Sequence, residues 1–279
     1  MQTPKITLNN GVKIPQLGLG VWKASDAEAE FAVTTAINNG YRLIDTATIY
    51  GNEVGVGRAV SASGVAREEL FITTKLWNGD QGYDETIRAF EKSLTALGLE
   101  YVDLYLIHWP TPMYNKSVDT WKAFEKLYAD GRIKAIGVSN FKPHHLQELM
   151  SQTKIVPAVN QIELHPRFTQ AETREYCAKH GIAVESWSPI GGAVGAGNVL
   201  AEPVLATIGE KYGKSPAQVV LRWHVQLGLI VIPKSVHEER IKQNIDVFDF
   251  ELSDDDMAQI ATLDTNTRQG PDPDLMNRH

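Results

Sequence analysis

A single cysteine, Cys177, stands in 279 residues, so no internal disulfide can form and no cysteine cage can hold zinc. That usage points to a reducing compartment. Basic residues are also short: 27 Lys+Arg face 34 Asp+Glu, a net charge of −7. Nucleic acids and anionic membranes want a concentrated basic face, so neither is an expected partner. No apolar run approaches the ~18 residues that a membrane-spanning helix needs. The opening MQTPKITLNN has neither the basic nor the apolar region of a secretory signal. Missing too is any G-x-G-x-x-G after a strand; Gly18/Gly20 and Gly55/Gly57 are bare G-x-G pairs. An open, doubly wound dinucleotide-binding sheet is disfavoured by that absence. These exclusions leave a cytoplasmic protein; because no long exposed apolar helix face suggests an obligate dimer, a monomer is the default expectation.

What is present is a regular alternation. Short β-branched runs occur at 42–44, 70–73, 102–107, 133–138, 158–160, 183–186 and 229–232, with a weaker one at 16–19. Several are apolar throughout, as expected of strands buried on both faces of a parallel sheet. Amphipathic helices fill the gaps. Ile87, Phe90, Leu94 and Leu97 form one helical stripe in 83–97, and Val118, Trp121, Phe124 and Tyr128 form the next. Ser253 before Asp254, Asp255 and Asp256 reads as an N-cap with acids in the first turn, not as a metal site. Eight strands separated by helices predict an α/β fold, a single (β/α)8 TIM barrel over residues 1–279. Runs at 5–8 and 12–14 around Asn10-Gly11 predict a β-hairpin that closes the bottom of the barrel. The tail, 265–279, is rich in turn formers and is expected to fold over the active-site rim.

In such a barrel the working groups stand at the carboxyl ends of the strands. Asp45 follows the run 42–44, with Tyr50 five residues on; Lys75 follows 70–73 and His108 ends 102–107. Ser139, Asn140, Gln161, Trp187, Ser188 and Lys234 follow the later runs. Each has a plain structural reading when taken alone. Asp45 could cap a helix, Lys75 could be a solvated loop charge, and His108 a satisfied core imidazole. Together they bring an acid, a base, a phenol and an imidazole to one rim. Elsewhere the signals are weak. Cys177 and His180 read as a half-buried thiol and a surface imidazole on a helix. His144-His145 lacks the carboxylates and spacing of a metal site, and no metal is expected. Asn115-Lys-Ser117 fits a glycosylation sequon that means little without a secretion signal.

Six blocks, in chain order, closely resemble the signature segments of the aldo-keto reductases. They are 40–57 (GYRLIDTATIYGNEVGVG), 71–77 (FITTKLW), 103–110 (DLYLIHWP), 137–141 (GVSNF), 160–166 (NQIELHP) and 232–240 (IPKSVHEER). The short C-terminal region and the block ESWSP around Trp187 are most similar to the bacterial 2,5-diketo-D-gluconate reductase branch. The resemblance implies an NADPH-dependent reductase of aldehydes and ketones, with small α-keto, dicarbonyl or sugar-derived carbonyls as substrates. It also implies a catalytic set of Asp45, Tyr50, Lys75 and His108. Tyr50 would donate the proton, and Lys75, held by Asp45, would bring the phenol toward the working range. His108 would orient the carbonyl as a neutral donor.

By the same resemblance, Trp187 would stack on the nicotinamide, and Ser139, Asn140 and Gln161 would bind its carboxamide. Ser188 with the Gly191-Gly192 turn would lie under the pyrophosphate. Lys234, Ser235 and Arg240 would meet the 2′-phosphate, and Asn244 the adenine. His237 replaces an Arg common in relatives, which bears on the preference for NADPH over NADH. Trp22, Ile49, Trp77 and Trp109 would wall an open substrate pocket tolerant of small carbonyl compounds. Two other readings compete: a Schiff-base lyase using Lys75, and a nicotinamide-binding regulatory or structural barrel with weak catalysis.

Overall fold

The computed structural model describes residues 3–192 and 198–278. Two antiparallel strands, β1 (Lys5–Thr7) and β2 (Lys13–Pro15), come first, joined through Gly11 at φ +86°. Eight parallel strands follow: β3 (Leu19–Gly20), β4 (Leu43–Asp45), β5 (Phe71–Leu76), β6 (Val102–Ile107), β7 (Ile133–Ser139), β8 (Val159–Glu163), β9 (Ala183–Trp187) and β10 (Ile230–Val231). Each pairs with the next in sequence order. The seam closes between the segment leading into β3 and β10. There Gly18 N–H donates to Val231 O at 2.9 Å, Val231 N–H to Gln16 O at 2.9 Å, and Gly20 N–H to Pro233 O at 3.2 Å. The result is a (β/α)8 barrel, as the alternation predicts.

Helices α1 (Asp26–Asn38), α2 (Glu53–Ala62), α3 (Tyr83–Leu97), α4 (Ser117–Ala129), α5 (Pro143–Gln152) and α6 (Ala171–Lys179) each follow one strand. After β9 come two helices, α7 (Pro203–Tyr212) and α8 (Pro216–Gln226), and after β10 come α9 (Glu238–Ile245) and α10 (Asp254–Ala261). The stripes predicted for α3 and α4 face inward. Phe90, Leu94 and Leu97 of α3 and Trp121 and Phe124 of α4 are buried, with Tyr105 of β6 between Phe90 and Phe124. The Trp121 indole N–H finds Ile155 O at 3.0 Å, so the largest core side chain leaves no donor unpaired. Ser253 caps α10 as its position predicts, in a reciprocal box with Asp256.

The hairpin seals the lower end. Leu8 and Ile14 join Leu43, Phe71, Leu104, Leu106, Val159 and Ile230 in one buried cluster, and Asn9 and Asn10 donate to Pro157 O and Lys134 O. Chemistry is thereby confined to the other end. Among the described residues, no helix is long and apolar enough to cross a membrane. Strand limits differ from expectation at two useful places. β5 runs on to Leu76 and β8 to Glu163, so Lys75 and Gln161 lie within strands. A strand holds a side chain more firmly than a loop does, and both residues are buried.

Candidate active site

Asp45 is the last residue of β4, and Lys75 is the next to last of the neighbouring β5. The Lys75 ammonium donates to Asp45 Oδ1 at 2.5 Å, to Thr46 O at 3.0 Å and to the Tyr50 hydroxyl at 3.5 Å. All three of its donors are therefore committed. The pair is sealed from solvent, with side-chain exposures of 0% for Lys75 and 3% for Asp45.

Tyr50 ends a single 3-10 turn, 48–50, whose tightness is set by Gly51 at φ +68°. Asn52 pins this loop by donating to Val21 O and Ala24 O, both at 3.0 Å, while accepting from Thr46 Oγ1 at 2.7 Å. Thr48 Oγ1 donates to Lys75 O at 3.0 Å, which ties the loop to β5. The phenol is thus placed by a buried polar network and not by a flexible tip. His108 lies against it, ring to ring at 5.8 Å and nearly edge-on, with Trp77 on another side at 5.3 Å. Asn140 Nδ2 donates to His108 O at 2.9 Å and fixes the end of β6.

Burial and charge divide the protons in this cluster. Burial raises the Asp45 carboxyl, and Lys75 only partly offsets it. Burial alone would lower Lys75, but Asp45 and Tyr50 outweigh it, and the ammonium is held above its ordinary value. Burial raises the Tyr50 phenol more than Lys75 lowers it. The expected approach of that phenol to the working range is therefore not met in the free protein, because desolvation of a phenolate costs more than one partly shared ammonium returns. His108 is driven well below its usual range by burial and then by Lys75, so the imidazole is neutral. Among the described residues its Nδ1 has no hydrogen-bond partner.

Beside this cluster is a polar shelf. Ser139 ends β7, and its Oγ donates to Gln161 O at 2.8 Å. Asn140 takes φ +64°, donates to Ser139 Oγ at 3.1 Å, and accepts from the Trp187 indole N–H at 2.8 Å. Trp187, half-buried at the end of β9, is thereby oriented by its one polar atom. Ser188 and Gly191 follow at φ +48° and +69°. A Cβ on Gly191 would sit 2.5 Å from a Val199 methyl at a positive φ, so a larger residue there would be strained.

Lys234 and Ser235 lie just past β10, while Arg240 and Asn244 are on α9. Ser235 and Asn244 are buried, Lys234 and Arg240 exposed. Among the described residues, neither cation has a carboxylate within ion-pair range (4.0 Å), although acids are plentiful elsewhere on the surface. Lys234 feels Glu28 only at longer range, and among the described residues neither cation is held by a close ion pair. Trp22 and Ile49, about half exposed at 51% and 49%, stand at the rim with Trp77. Trp109 is buried at 6% exposure, and its carbonyl accepts from Gln81 Nε2 at 2.7 Å.

Two carboxylates escape the sequence reading. Glu163, at the end of β8, accepts from Gln269 N at 2.6 Å and Gly270 N at 2.8 Å. It anchors the tail over the rim; a Cβ on Gly270 would meet the Trp187 ring at 2.5 Å. The tail then crosses to Lys142, which pairs with Asp272 and Asp274 at 2.6 Å, and ends where Asn78 Nδ2 donates to Arg278 O. His279, its last residue, lies outside the described residues. Glu185, on β9, is fully buried beside Gln161. Its position inside the strand run 183–186 hid it, and the block ESWSP draws attention to Trp187 instead.

The fold also supplies the carboxylate that His144-His145 lacks in sequence, since Asp274 lies 3.0 and 3.1 Å from the two imidazoles. It is a tail anchor all the same. Lys142 N–H donates to His145 Nδ1 at 3.1 Å, so the ring proton is on Nε2 and points at Asp274. That nitrogen offers no lone pair to a metal, and Asp274 is already engaged by Lys142 Nζ, which it shares with Asp272.

Residues 16–265 match the model of the aldo/keto reductase family. The chain is 56% identical over 270 residues to the glyoxal reductase of Bacillus subtilis, covering 96% of each chain. It is 52% identical over 269 residues to the methylglyoxal reductase DkgA of Salmonella typhimurium, again covering 96% of each. A point mutant of Gox0644, solved in complex with NADPH, superposes with a TM-score of 0.93 at 47% identity, covering 99% of both chains. By family model, sequence and fold alike, this chain belongs to the aldo/keto reductase family.

Proposed function

We propose that the protein is an NADPH-dependent reductase of small aldehydes and ketones, α-keto compounds, dicarbonyls and sugar-derived carbonyls such as 2,5-diketo-D-gluconate, with Tyr50 as proton donor. The observation that carries this reading is the contact of Tyr50 with the buried Lys75–Asp45 pair beside a neutral His108. A reduced nicotinamide, when bound, supplies the hydride. The carbonyl oxygen then gains the electron pair and needs a proton, which the Tyr50 hydroxyl gives. An alkoxide is a far stronger base than a phenolate, so the transfer is downhill even from a phenol raised by burial. Lys75 stabilises the phenolate left behind, and Asp45 holds Lys75. His108, uncharged, donates to the carbonyl oxygen and sets its direction.

Trp187 offers the nicotinamide a rigid face, with Ser139, Asn140 and Gln161 at its carboxamide and Ser188, Gly191 and Gly192 under the pyrophosphate. Lys234, Ser235 and Arg240 would take the 2′-phosphate, and Asn244 the adenine. NADPH bound to a relative as similar as Gox0644 supports the cofactor, and the names of the glyoxal and methylglyoxal reductases support small dicarbonyls. Schiff-base chemistry at Lys75 is disfavoured because a nucleophilic amine must be unprotonated, and Asp45 keeps this one charged.

Tyr50→Phe is the test. Carbonyl-dependent oxidation of NADPH should fall by about 10²–10⁴-fold, while NADPH binding, followed by quenching of tryptophan fluorescence, persists. Near-full turnover by the Phe variant would remove Tyr50 from the proposed role.

A further inference from the structure

Gln161 is the node between the catalytic cluster and the polar shelf. Its backbone carbonyl accepts from Ser139 Oγ at 2.8 Å and from Asn140 N at 2.9 Å. Its side-chain amide donates one N–H to Asp45 Oδ2 at 2.8 Å and the other to Glu185 Oε2 at 2.9 Å. Two acceptors fix the plane of an amide where one would leave it free to rotate. With its nitrogen turned to both carboxylates, the amide turns its oxygen away from them. Glu185 has no other partner among the described residues, and its Oε1 is buried and unpaired. A fully buried carboxyl is costly to keep unless it holds something. β9 places it in register with Gln161 on one side and the apolar Ile230 on the other, so among the described residues Gln161 is its one polar register partner.

We propose that Glu185 is a positioning residue for the reduction: it fixes the amide of Gln161 so that Gln161 Oε1 faces the nicotinamide carboxamide as an acceptor. This rests on the cofactor reading above. The chain thus uses one side chain to serve two layers, with its donors on Asp45 and Glu185 below and its acceptor toward the cofactor. Glu185 performs this task in its protonated state at neutral pH. Burial first, and Asp45 next, push its carboxyl up to about 8. The charged and titratable groups that face it are Asp45 from β4, Lys75 from β5 and Tyr50 from the loop after β4. One ammonium, already paired with Asp45, does not balance a second carboxylate.

The test uses the full-length protein, with NADPH as the probe and binding read by fluorescence titration. Glu185→Leu keeps bulk and removes the acceptor, and should raise the Kd for NADPH by about tenfold, the scale of one lost hydrogen bond that orders a ligand contact. Glu185→Gln keeps an acceptor and removes the titration. It should hold the parental Kd within about twofold at neutral pH, and remove whatever change in Kd the ionisation of Glu185, raised to about 8, brings to the parent. Parental affinity in Glu185→Leu would overturn the proposal. So would a Glu185→Gln variant as weak as Glu185→Leu, since charge and not the held amide would then be what matters. Melting temperatures identify a variant that fails to fold. If Glu185→Leu does, Glu185→Ala with the same titration takes its place. Binding does not depend on turnover, so this proposal and the reductase reading fail separately.

Discussion

Lys75→Met removes the buried ammonium while keeping most of the side-chain volume. Its partner, Asp45, is left as an isolated carboxylate in the barrel interior, with only the Gln161 amide to hold it. Breaking a buried ion pair from one side costs about 3–5 kcal/mol. For 279 residues the unfolding entropy is about 0.6 kcal/mol/K, so the melting temperature should fall by roughly 5–9 °C. The pH dependence gives the sharper test. Without Lys75, the Asp45 carboxyl is raised further above its unfolded value of about 3.9. Below that value both states are protonated and the penalty vanishes; as pH rises, the unfolded chain ionises first and the folded state falls behind. The deficit measured by differential scanning fluorimetry should therefore be smaller near pH 5 than near pH 8. The double variant Asp45→Asn/Lys75→Met should recover most of the loss. A single variant that melts with the parent near pH 8, or a deficit that grows toward acid, would refute the claim that Lys75 is what makes Asp45 tolerable there.

Gly57→Ala should destabilise by about 1–3 kcal/mol in urea unfolding, because its Cβ would sit 2.2 Å from the backbone oxygen of Leu97. Helix propensity alone predicts a gain of about 1 kcal/mol, so the sign of the change decides between the two effects. Lys234→Met/Arg240→Met should weaken NADPH by about tenfold or more and leave NADH nearly unchanged, with the salt dependence of NADPH binding reduced. Equal losses for both cofactors in parallel titrations would mean that these cations do not read the 2′-phosphate. Glu185→Gln should gain thermal stability over the parent as pH rises. The parental carboxyl, raised to about 8, weakens the fold between its unfolded value of about 4.5 and that point.

The alternation of apolar runs and amphipathic segments determined the eight strands, their order and the barrel, because parallel strands buried on both faces and helices buried on one leave distinct periods in sequence. The hairpin was legible from Asn10-Gly11, and the cap of α10 from Ser253. Asp45, Tyr50, Lys75 and His108 were legible from their places at strand ends together with the family blocks. What sequence could not carry was how these groups share protons. Burial is a property of the closed barrel, and it is burial that raises the Tyr50 phenol against the pull of Lys75 and keeps His108 neutral. Only the tertiary structure joined residues far apart in the chain. Gln161 bridges Asp45 and Glu185 across the barrel, Asp274 reaches His144 and His145, and Glu163 ties down a tail more than a hundred residues later. Those contacts follow from the curvature of the sheet and the return of the tail over its rim. Local pattern carries no trace of either, since a carboxylate inside a buried strand looks the same whether its partner lies one strand away or does not exist.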